Sequence, residues 1–119
     1  MSDSIMLEKS KDFAVRIITL CKKIRASEKE FILTNQLLRS ATSIGANIHE
    51  SKYAQSTADF ISKMKIALKE CFETEYWLEL LTRSNYIRKE QYESLRNECG
   101  TIRHMLISSI NTSQKNQEK

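Results

Sequence analysis

Residues 40–51 read SATSIGANIHES, an unusual composition for a segment whose flanking residues look helical. Serine, threonine and glycine are poor to moderate helix formers. Plotted at 100° per residue, the segment nevertheless separates into two faces. These are an apolar stripe, Ala41, Ile44 and Ile48, and beside it a polar strip, Ser40, Ser43 and Asn47. The pattern predicts an amphipathic helix whose small side chains allow another helix to approach closely.

The overall composition favours an all-α protein. The chain has 119 residues, no proline and two glycines, whereas turn-rich β architectures need more of both. This length corresponds to about one domain. The N-terminus lacks the apolar region of a signal peptide, and no stretch is apolar enough to span a membrane, so we expect a cytoplasmic protein without a membrane partner. Cys21, Cys71 and Cys99 are far apart and fit small core side chains.

Apolar side chains recur at helical spacing in four segments, which predicts helices over about 5–25, 31–53, 57–84 and 88–112. The four predicted stripes are Met6, Phe13, Ile17, Leu20 and Ile24; Leu37, Ala41, Ile44 and Ile48; Phe60, Met64, Ala67, Cys71, Thr74 and Leu78; and Tyr92, Leu95, Cys99, Ile102, Leu106 and Ile110. Capping-box patterns mark new starts at Ser27 and Ser56, and Asn85 is a plausible left-handed stop. Short connections between amphipathic helices favour an antiparallel up-down-up-down four-helix bundle. We expect residues 1–112 to form the bundle and residues 113–119 to form a polar C-terminal tail.

The third helix has more apolar surface than one stripe requires, because apolar residues also line both of its flanks. A second apolar strip follows the first helix. Surplus apolar surface favours a homo-oligomer, and the alternative is a wide monomeric core. The interface residues predicted in this way are Leu7, Ile18, Ile66, Trp77 and Leu81.

Polar residues beside the stripe of the second helix need hydrogen-bond partners wherever they are buried. The third helix offers Glu70 and Glu73 on the side that also carries Trp77. We therefore predict that Arg39 and Asn47 pair with Glu70 or Glu73 across the helix seam. The alternative to this structural network is a ligand or partner site. The predicted network comprises Gln36, Ser43, Asn47, Glu50, Glu70 and Glu73.

The residues give little support for catalysis. Di-iron bundles need paired Glu-x-x-His motifs, and His49 and His104 are each preceded at that spacing by a residue other than glutamate. No glycine-rich phosphate loop is present, and no nucleophile has a recognisable base partner. We expect no enzymatic activity, no cofactor and no bound metal.

The charge distribution permits nucleic-acid binding. The net charge is +4, and residues 31–69 hold most of the excess of basic side chains. An oligomer would multiply these charges, and affinity for phosphate grows with the number of contacts. Aromatic residues are not interleaved with the lysines, apart from Tyr53 beside Lys52, which argues against sequence-specific reading of single strands. The candidate residues are Arg39, Lys52, Lys63, Lys65, Lys69, Arg96 and Arg103.

Two blocks of the sequence, QLLRSATSIGANIHES and FISKMKIALKECFETEYWLELL, carry a family resemblance. They resemble the bacterial four-helix-bundle family also called the intervening-sequence protein of large-subunit ribosomal RNA. The match covers about residues 10–110. Two positions depart from the family pattern: Ser51 stands where glycine is usual, which predicts a helix that runs on, and Cys71 stands where alanine is usual.

This resemblance implies an up-down bundle that assembles as a homopentamer around a central pore. It also implies kinship with the accessory variability determinant of diversity-generating retroelements, a basic barrel that binds nucleic acid and a reverse transcriptase. The sequence thus favours a non-enzymatic oligomer that binds RNA or DNA. The alternative is an oligomeric scaffold for a protein partner, without nucleic acid.

Overall fold

The computed structural model describes residues 2–118 as four α-helices joined by short turns. The helices are α1 (Ser2–Glu28), α2 (Ile32–Ser51), α3 (Thr57–Arg83) and α4 (Lys89–Glu118). Successive helices pack against each other, α4 also packs against α1, and α1 and α3 lie on the diagonal. The bundle measures 53 × 22 × 20 Å. The predicted all-α four-helix bundle is confirmed.

A continuous core follows the bundle axis and is formed by the four predicted stripes. Only Phe60 and Tyr92, near the starts of α3 and α4, are partly exposed among the stripe residues. The other stripe residues are removed from water, which is the main stabilising contribution in a bundle of this size. The largest completely buried side chains include Phe13, Ile17, Leu37, Met64, Leu78 and Leu106.

The core also contains two of the residues predicted for an oligomer interface. Leu81 is completely buried, and Leu7 is nearly so. Neither side chain is available to a second copy, so the prediction is wrong for these two positions. The helical wheel placed Leu81 on a flank of α3, and the structure shows that this flank is covered at Leu81. Ile18 and Trp77 are partly exposed and Ile66 is exposed.

Three residues were predicted to mark helix ends. Ser56 and Asn85 are confirmed in this role, whereas Ser27 is not the residue that caps the second helix. Ser56 caps α3 by accepting a hydrogen bond from the Asp59 amide at 3.0 Å, and Asn85 adopts the left-handed conformation with φ 66°. Ser27, however, lies inside α1, and its hydroxyl donates to the Lys23 carbonyl. The carboxylate of Glu30 caps α2 instead, accepting from the first backbone amides of the helix at 3.0 Å.

The ends of α2 and α4 differ from the expectation in opposite directions. α2 stops at Ser51, which is buried and donates its hydroxyl to the Ile48 carbonyl at 2.6 Å, so the helix does not run on. α4 continues past the predicted end at residue 112 to Glu118. Its last turns lie beside the α2–α3 connection, where Ser113 and Asn116 line a surface cavity of about 380 Å³. These neighbours give the polar residues a surface to pack on.

Close approach of helices occurs where SATSIGANIHES predicts it. A Cβ atom at Gly45 would lie 3.0 Å from the Ser10 hydroxyl of α1, so α1 uses the space that the missing side chain leaves. On the opposite side of α2, the buried Thr74 hydroxyl donates to the Ser40 hydroxyl at 3.0 Å. The small residues thus permit close packing against both neighbouring helices.

Candidate nucleic-acid interface

The α2/α3 seam is held by an ion-pair cluster around Arg39. One guanidinium nitrogen lies 3.5 Å from Glu70, and another donates to Glu73. Gln36 accepts hydrogen bonds from the same guanidinium, and the Trp77 indole N–H donates to Glu73 at 3.0 Å. The predicted pairing of Arg39 is therefore present. Arg39 is 51% exposed, so this cluster contributes mainly to helix register and only modestly to stability.

The predicted pairing of Asn47 is absent, because its side-chain amide donates to the Ser43 carbonyl within α2 at 2.9 Å. The antiparallel register explains this. Arg39 lies level with Glu73 along the seam. Glu50 lies level with Lys63, and its carboxylate is 3.4 Å from the Lys63 ammonium nitrogen. Asn47 is two turns beyond Arg39 and therefore lies about one turn past Glu70. The remaining predicted network residue, Ser43, donates its hydroxyl to the Arg39 carbonyl at 2.7 Å.

The basic candidates divide into two groups. Arg39, Lys63 and Arg103 form ion pairs with carboxylates, the last with Glu75 at 2.9 Å. A second group has no carboxylate within ion-pair distance among the residues whose side chains the structure describes. Its members are Lys52, Lys65, Lys69 and Arg96. Among the seven candidates, the second group therefore carries the cationic charge that the described carboxylates leave unpaired.

Part of the second group lies on one solvent-exposed line of α3, which we call the α3 outer face: Lys65, Lys69, Phe72 and Tyr76. These residues follow one another at spacings of four, three and four, which keeps them on one side of a helix. Phe72 and Tyr76 are each 55% exposed. The apolar pattern of the sequence did not predict this arrangement, because it places Phe72 with Ile61 and Leu68 on an apolar flank of α3 and gives Tyr76 no role.

The neighbouring helix α4 adds Arg103 to the α3 outer face, and Arg96 lies two turns before Arg103 on the same helix. The guanidinium of Arg103 lies 5.7 Å from the centre of the Phe72 ring, and that of Arg96 lies 5.6 Å from the Tyr92 ring. Both distances are typical of cation–π contacts. Four of the seven predicted nucleic-acid residues therefore lie on the α3/α4 side of the bundle. Arg39 and Lys63 lie at the α2/α3 seam, and Lys52 lies in the turn after α2.

The cysteines and histidines show no arrangement for catalysis. Burial raises the pKa of Cys21 to about 11, and a hydrogen bond to Cys71 together with burial raises the pKa of Cys99, so both thiols stay protonated near neutral pH. His104 lines a surface cavity of about 460 Å³, and the described residues that share it have serine, threonine and apolar side chains. The described residues contain no cluster that could hold a metal ion. No helix among them is long and apolar enough to cross a membrane.

Comparisons with known proteins place this arrangement in a family. The model of the 23S rRNA-intervening sequence protein family matches residues 2–108. A crystal structure of a protein with unknown function, from the S23 ribosomal protein family of Bacteroides thetaiotaomicron, is 56% identical. It superposes with a TM-score of 0.91, over 93% of this chain and 99% of that one. No curated protein matches. Since the family model covers nearly the whole chain, the protein belongs to the 23S rRNA-intervening sequence protein family.

Proposed function

We propose that the protein is a non-enzymatic, cytoplasmic homo-oligomer that binds the backbone of RNA or DNA, in association with ribosomal RNA intervening sequences. The observation that carries the proposal is the pair of exposed lysines, Lys65 and Lys69, which have no carboxylate partner among the side chains that the structure describes. Cations that lack an internal partner are the groups that can replace the counterions of a phosphate backbone.

The distribution of exposed apolar side chains supports a cyclic assembly, and the family resemblance suggests a pentamer. Ile18 lies on α1, whereas Ile66 and Trp77 lie on α3, and these two helices are diagonal in the bundle. Apolar surface on opposite sides of a protomer favours head-to-tail contacts, which close into rings, over a two-fold dimer. A ring would repeat the lysine pair around its circumference and raise its avidity for a long polyanion.

Salt-dependent RNA binding tests the proposal. The dissociation constant of the wild-type protein for a generic RNA should rise steeply with salt. Changing both lysines, Lys65→Gln and Lys69→Gln, should weaken binding and lower the salt slope by roughly 0.7 to 0.9 for each lysine. Arg39→Gln is the matched control, because Glu70 and Glu73 already pair that guanidinium. Affinity at low salt no better than that of an uncharged protein would contradict the proposal.

Light scattering tests the assembly. At about 100 μM, a contact worth roughly 5–6 kcal/mol should populate the oligomer. A strictly monomeric protein at this concentration would contradict the ring. Ile66→Asp should then be compared with Glu79→Gln, since Glu79 lies on the same helix and pairs only with Arg83. We expect only the first substitution to shift the mass toward the monomer.

The second candidate function is an oligomeric scaffold that binds a protein partner, such as a reverse transcriptase, without nucleic acid. A shallow groove of about 310 Å³ between α1 and α2 favours it, because Ala14, Gly45 and Ala46 contribute apolar surface to its lining. Such grooves can accept an apolar side chain of a partner. Absence of RNA binding together with a stable oligomer would favour this alternative.

A further inference from the structure

We infer that the α3 outer face binds single-stranded nucleic acid, with phosphates on Lys65 and Lys69 and unstacked bases on Phe72 and Tyr76. This inference rests on the proposed function and names the class of nucleic acid and the chemistry that selects it. Phosphate contacts alone would not distinguish a single strand from a duplex, whereas a base can stack on an aromatic ring only when it has left its own stack.

Phe72 is held as an open stacking surface. The Arg103 guanidinium lies 5.7 Å from the ring centre, and the Glu75 carboxylate holds that guanidinium at 2.9 Å. The ring nevertheless remains 55% exposed. A ring that is supported by the protein and still accessible to solvent can accept a nucleobase with little loss of conformational entropy.

Tyr76 is fixed by a comparable chain of contacts. Its ring meets the Trp77 ring edge to face, with the centroids 5.0 Å apart and an interplanar angle of 72°. The Trp77 indole is in turn fixed by its hydrogen bond to Glu73. Tyr76 is also 55% exposed, so the α3 outer face presents two oriented rings one helical turn apart.

The spacing of the two rings favours unstacked bases. Four helical residues advance about 6 Å at 1.5 Å per residue. Successive nucleotides in one strand of a B-form duplex advance only about 3.4 Å. Two neighbouring bases that occupy Phe72 and Tyr76 must therefore separate beyond their stacked distance, which a single strand permits and an intact duplex resists.

The acidic residues of α3 do not cancel the lysines. Glu73 pairs with Arg39, Glu75 pairs with Arg103, and Glu79 pairs with Arg83 at 2.8 Å. The charge that remains on the α3 outer face is therefore positive, which is complementary to a phosphate backbone. A second copy of the chain is the less favoured occupant, because the cores of protein–protein interfaces are depleted in lysine.

Binding of a fluorescein-labelled single-stranded RNA and of the same RNA annealed as a duplex tests the inference. The double variant Phe72→Leu, Tyr76→Leu keeps apolar bulk but removes both rings. We expect it to weaken single-strand binding by about tenfold for each ring, since stacking contributes about 1–3 kcal/mol per base. Duplex binding and the salt slope should be unchanged.

Phe31→Leu is the matched control, because Phe31 is 52% exposed at the start of α2 and lies away from the lysines. Phe72→Trp should retain single-strand binding because it keeps an aromatic ring. Its comparison with Phe72→Leu separates the contribution of base stacking from that of apolar volume. Both target side chains are exposed, so circular dichroism should show a folded protein for every variant.

Three results would overturn the inference. They are equal loss of single-strand and duplex affinity, no loss at all, and dissociation of the oligomer by the double variant, which would assign the rings to a contact between copies. Failure of the proposed function looks different, because the wild-type protein would then bind neither RNA. If binding depends on the lysines but is unchanged by the ring substitutions, the proposed function is supported and only the stacking of bases on the rings is contradicted.

Discussion

The two sides of α3 differ in whether their charged side chains form ion pairs within the protein. At the α2/α3 seam, Arg39 is paired with Glu70 and Glu73, and the buried hydroxyls of Ser40 and Thr74 bind each other. On the α3 outer face, Lys65 and Lys69 have no carboxylate partner among the described side chains and lie on one line with two exposed rings. One helix thus satisfies its polar groups internally on one side and leaves them to solvent or a partner on the other. Pairing, and not the net charge of +4, distinguishes the two sides.

Truncation of a buried side chain should give the largest difference between the sides of α3. Leu81→Ala removes a completely buried side chain, and we expect it to lower the free energy of unfolding by about 2–5 kcal/mol. Phe72→Ala on the α3 outer face should change it by about 0.5 kcal/mol or less, because the ring is already half in water. Denaturant unfolding at several protein concentrations measures both.

The concentration series also separates the core from an interface. A destabilisation by Leu81→Ala that is the same at every protein concentration is expected for a core residue. If the destabilisation instead appears only where the oligomer forms, Leu81 would lie at a contact between copies, as its position on the helical wheel suggested.

Alkaline pH should destabilise the closed interior of the bundle through the Cys21 thiol. Burial raises the pKa of the Cys21 thiol from 9.0 to about 11, opposed in part by Arg25. The native state therefore holds this proton more tightly than the unfolded chain does. Stability should be intact below pH 9 and fall as the pH rises to 11, by about 3 kcal/mol for a shift of two units.

Denaturant unfolding between pH 8 and pH 11 measures this loss, with Cys21→Ala as the comparison. The variant should show a shallower decline, because alanine has no thiol to ionise. The Cys99 thiol, whose pKa is also raised, contributes in the same direction and remains in both proteins. Identical slopes for the two proteins would show that the Cys21 thiol ionises over the same pH range in the native and the unfolded protein, and would contradict the raised pKa.

The sequence predicted the fold well because the helical period identifies most of the residues that enter the core. Apart from Phe60 and Tyr92, the stripes of all four helices are buried as the spacing indicated, and the Arg39 pairing followed from charge on facing sides of neighbouring helices. The partner of Asn47 was predicted wrongly because a helical wheel shows which side of a helix a residue faces but not its position along the bundle axis relative to the neighbouring helix. Its partner depends on the antiparallel register, and the sequence does not specify that register to within one turn.

The candidate site was harder to predict, since it depends on which flank of α3 is covered. Leu81 and Phe72 both lie on flanks of the predicted stripe, yet one is completely buried and the other is 55% exposed. Only the placement of α2 and α4 distinguishes them. Tyr76 lies directly opposite the core, and a reading based on apolar stripes takes no account of that side of the helix.

The close contact of α1 with α2 allows a smaller test inside the closed part of the bundle. Gly45→Ala should gain about 1 kcal/mol from helix propensity, but its new Cβ would lie 3.0 Å from the Ser10 hydroxyl. That hydroxyl is fixed by its hydrogen bond to the Leu7 carbonyl at 2.6 Å. We expect the single variant to be no more stable than wild type.

The same change in a Ser10→Ala background should recover the gain. The nearest remaining atom of residue 10 would be its Cβ at 3.5 Å, an ordinary van der Waals distance. A double-mutant cycle measured by denaturant unfolding should therefore give a favourable coupling of about 1 kcal/mol. Additive effects would show that α1 and α2 adjust their separation freely.

The ion pairs at the seam should give the smallest effect. We expect a double-mutant cycle on Arg39→Gln and Glu73→Gln to yield a coupling of about 0.5–1 kcal/mol at low salt, because Arg39 is half exposed and Glu70 can still pair with it. High salt should reduce this coupling. The corresponding single variant Lys69→Gln should leave the free energy of unfolding unchanged at either salt concentration.

A coupling near zero at the seam would remove the distinction between the two sides of α3 as far as stability is concerned, since a surface pair and an unpaired lysine would then contribute equally little. The distinction would then rest on binding alone, where Lys69→Gln should alter the salt dependence of RNA affinity and Arg39→Gln should not.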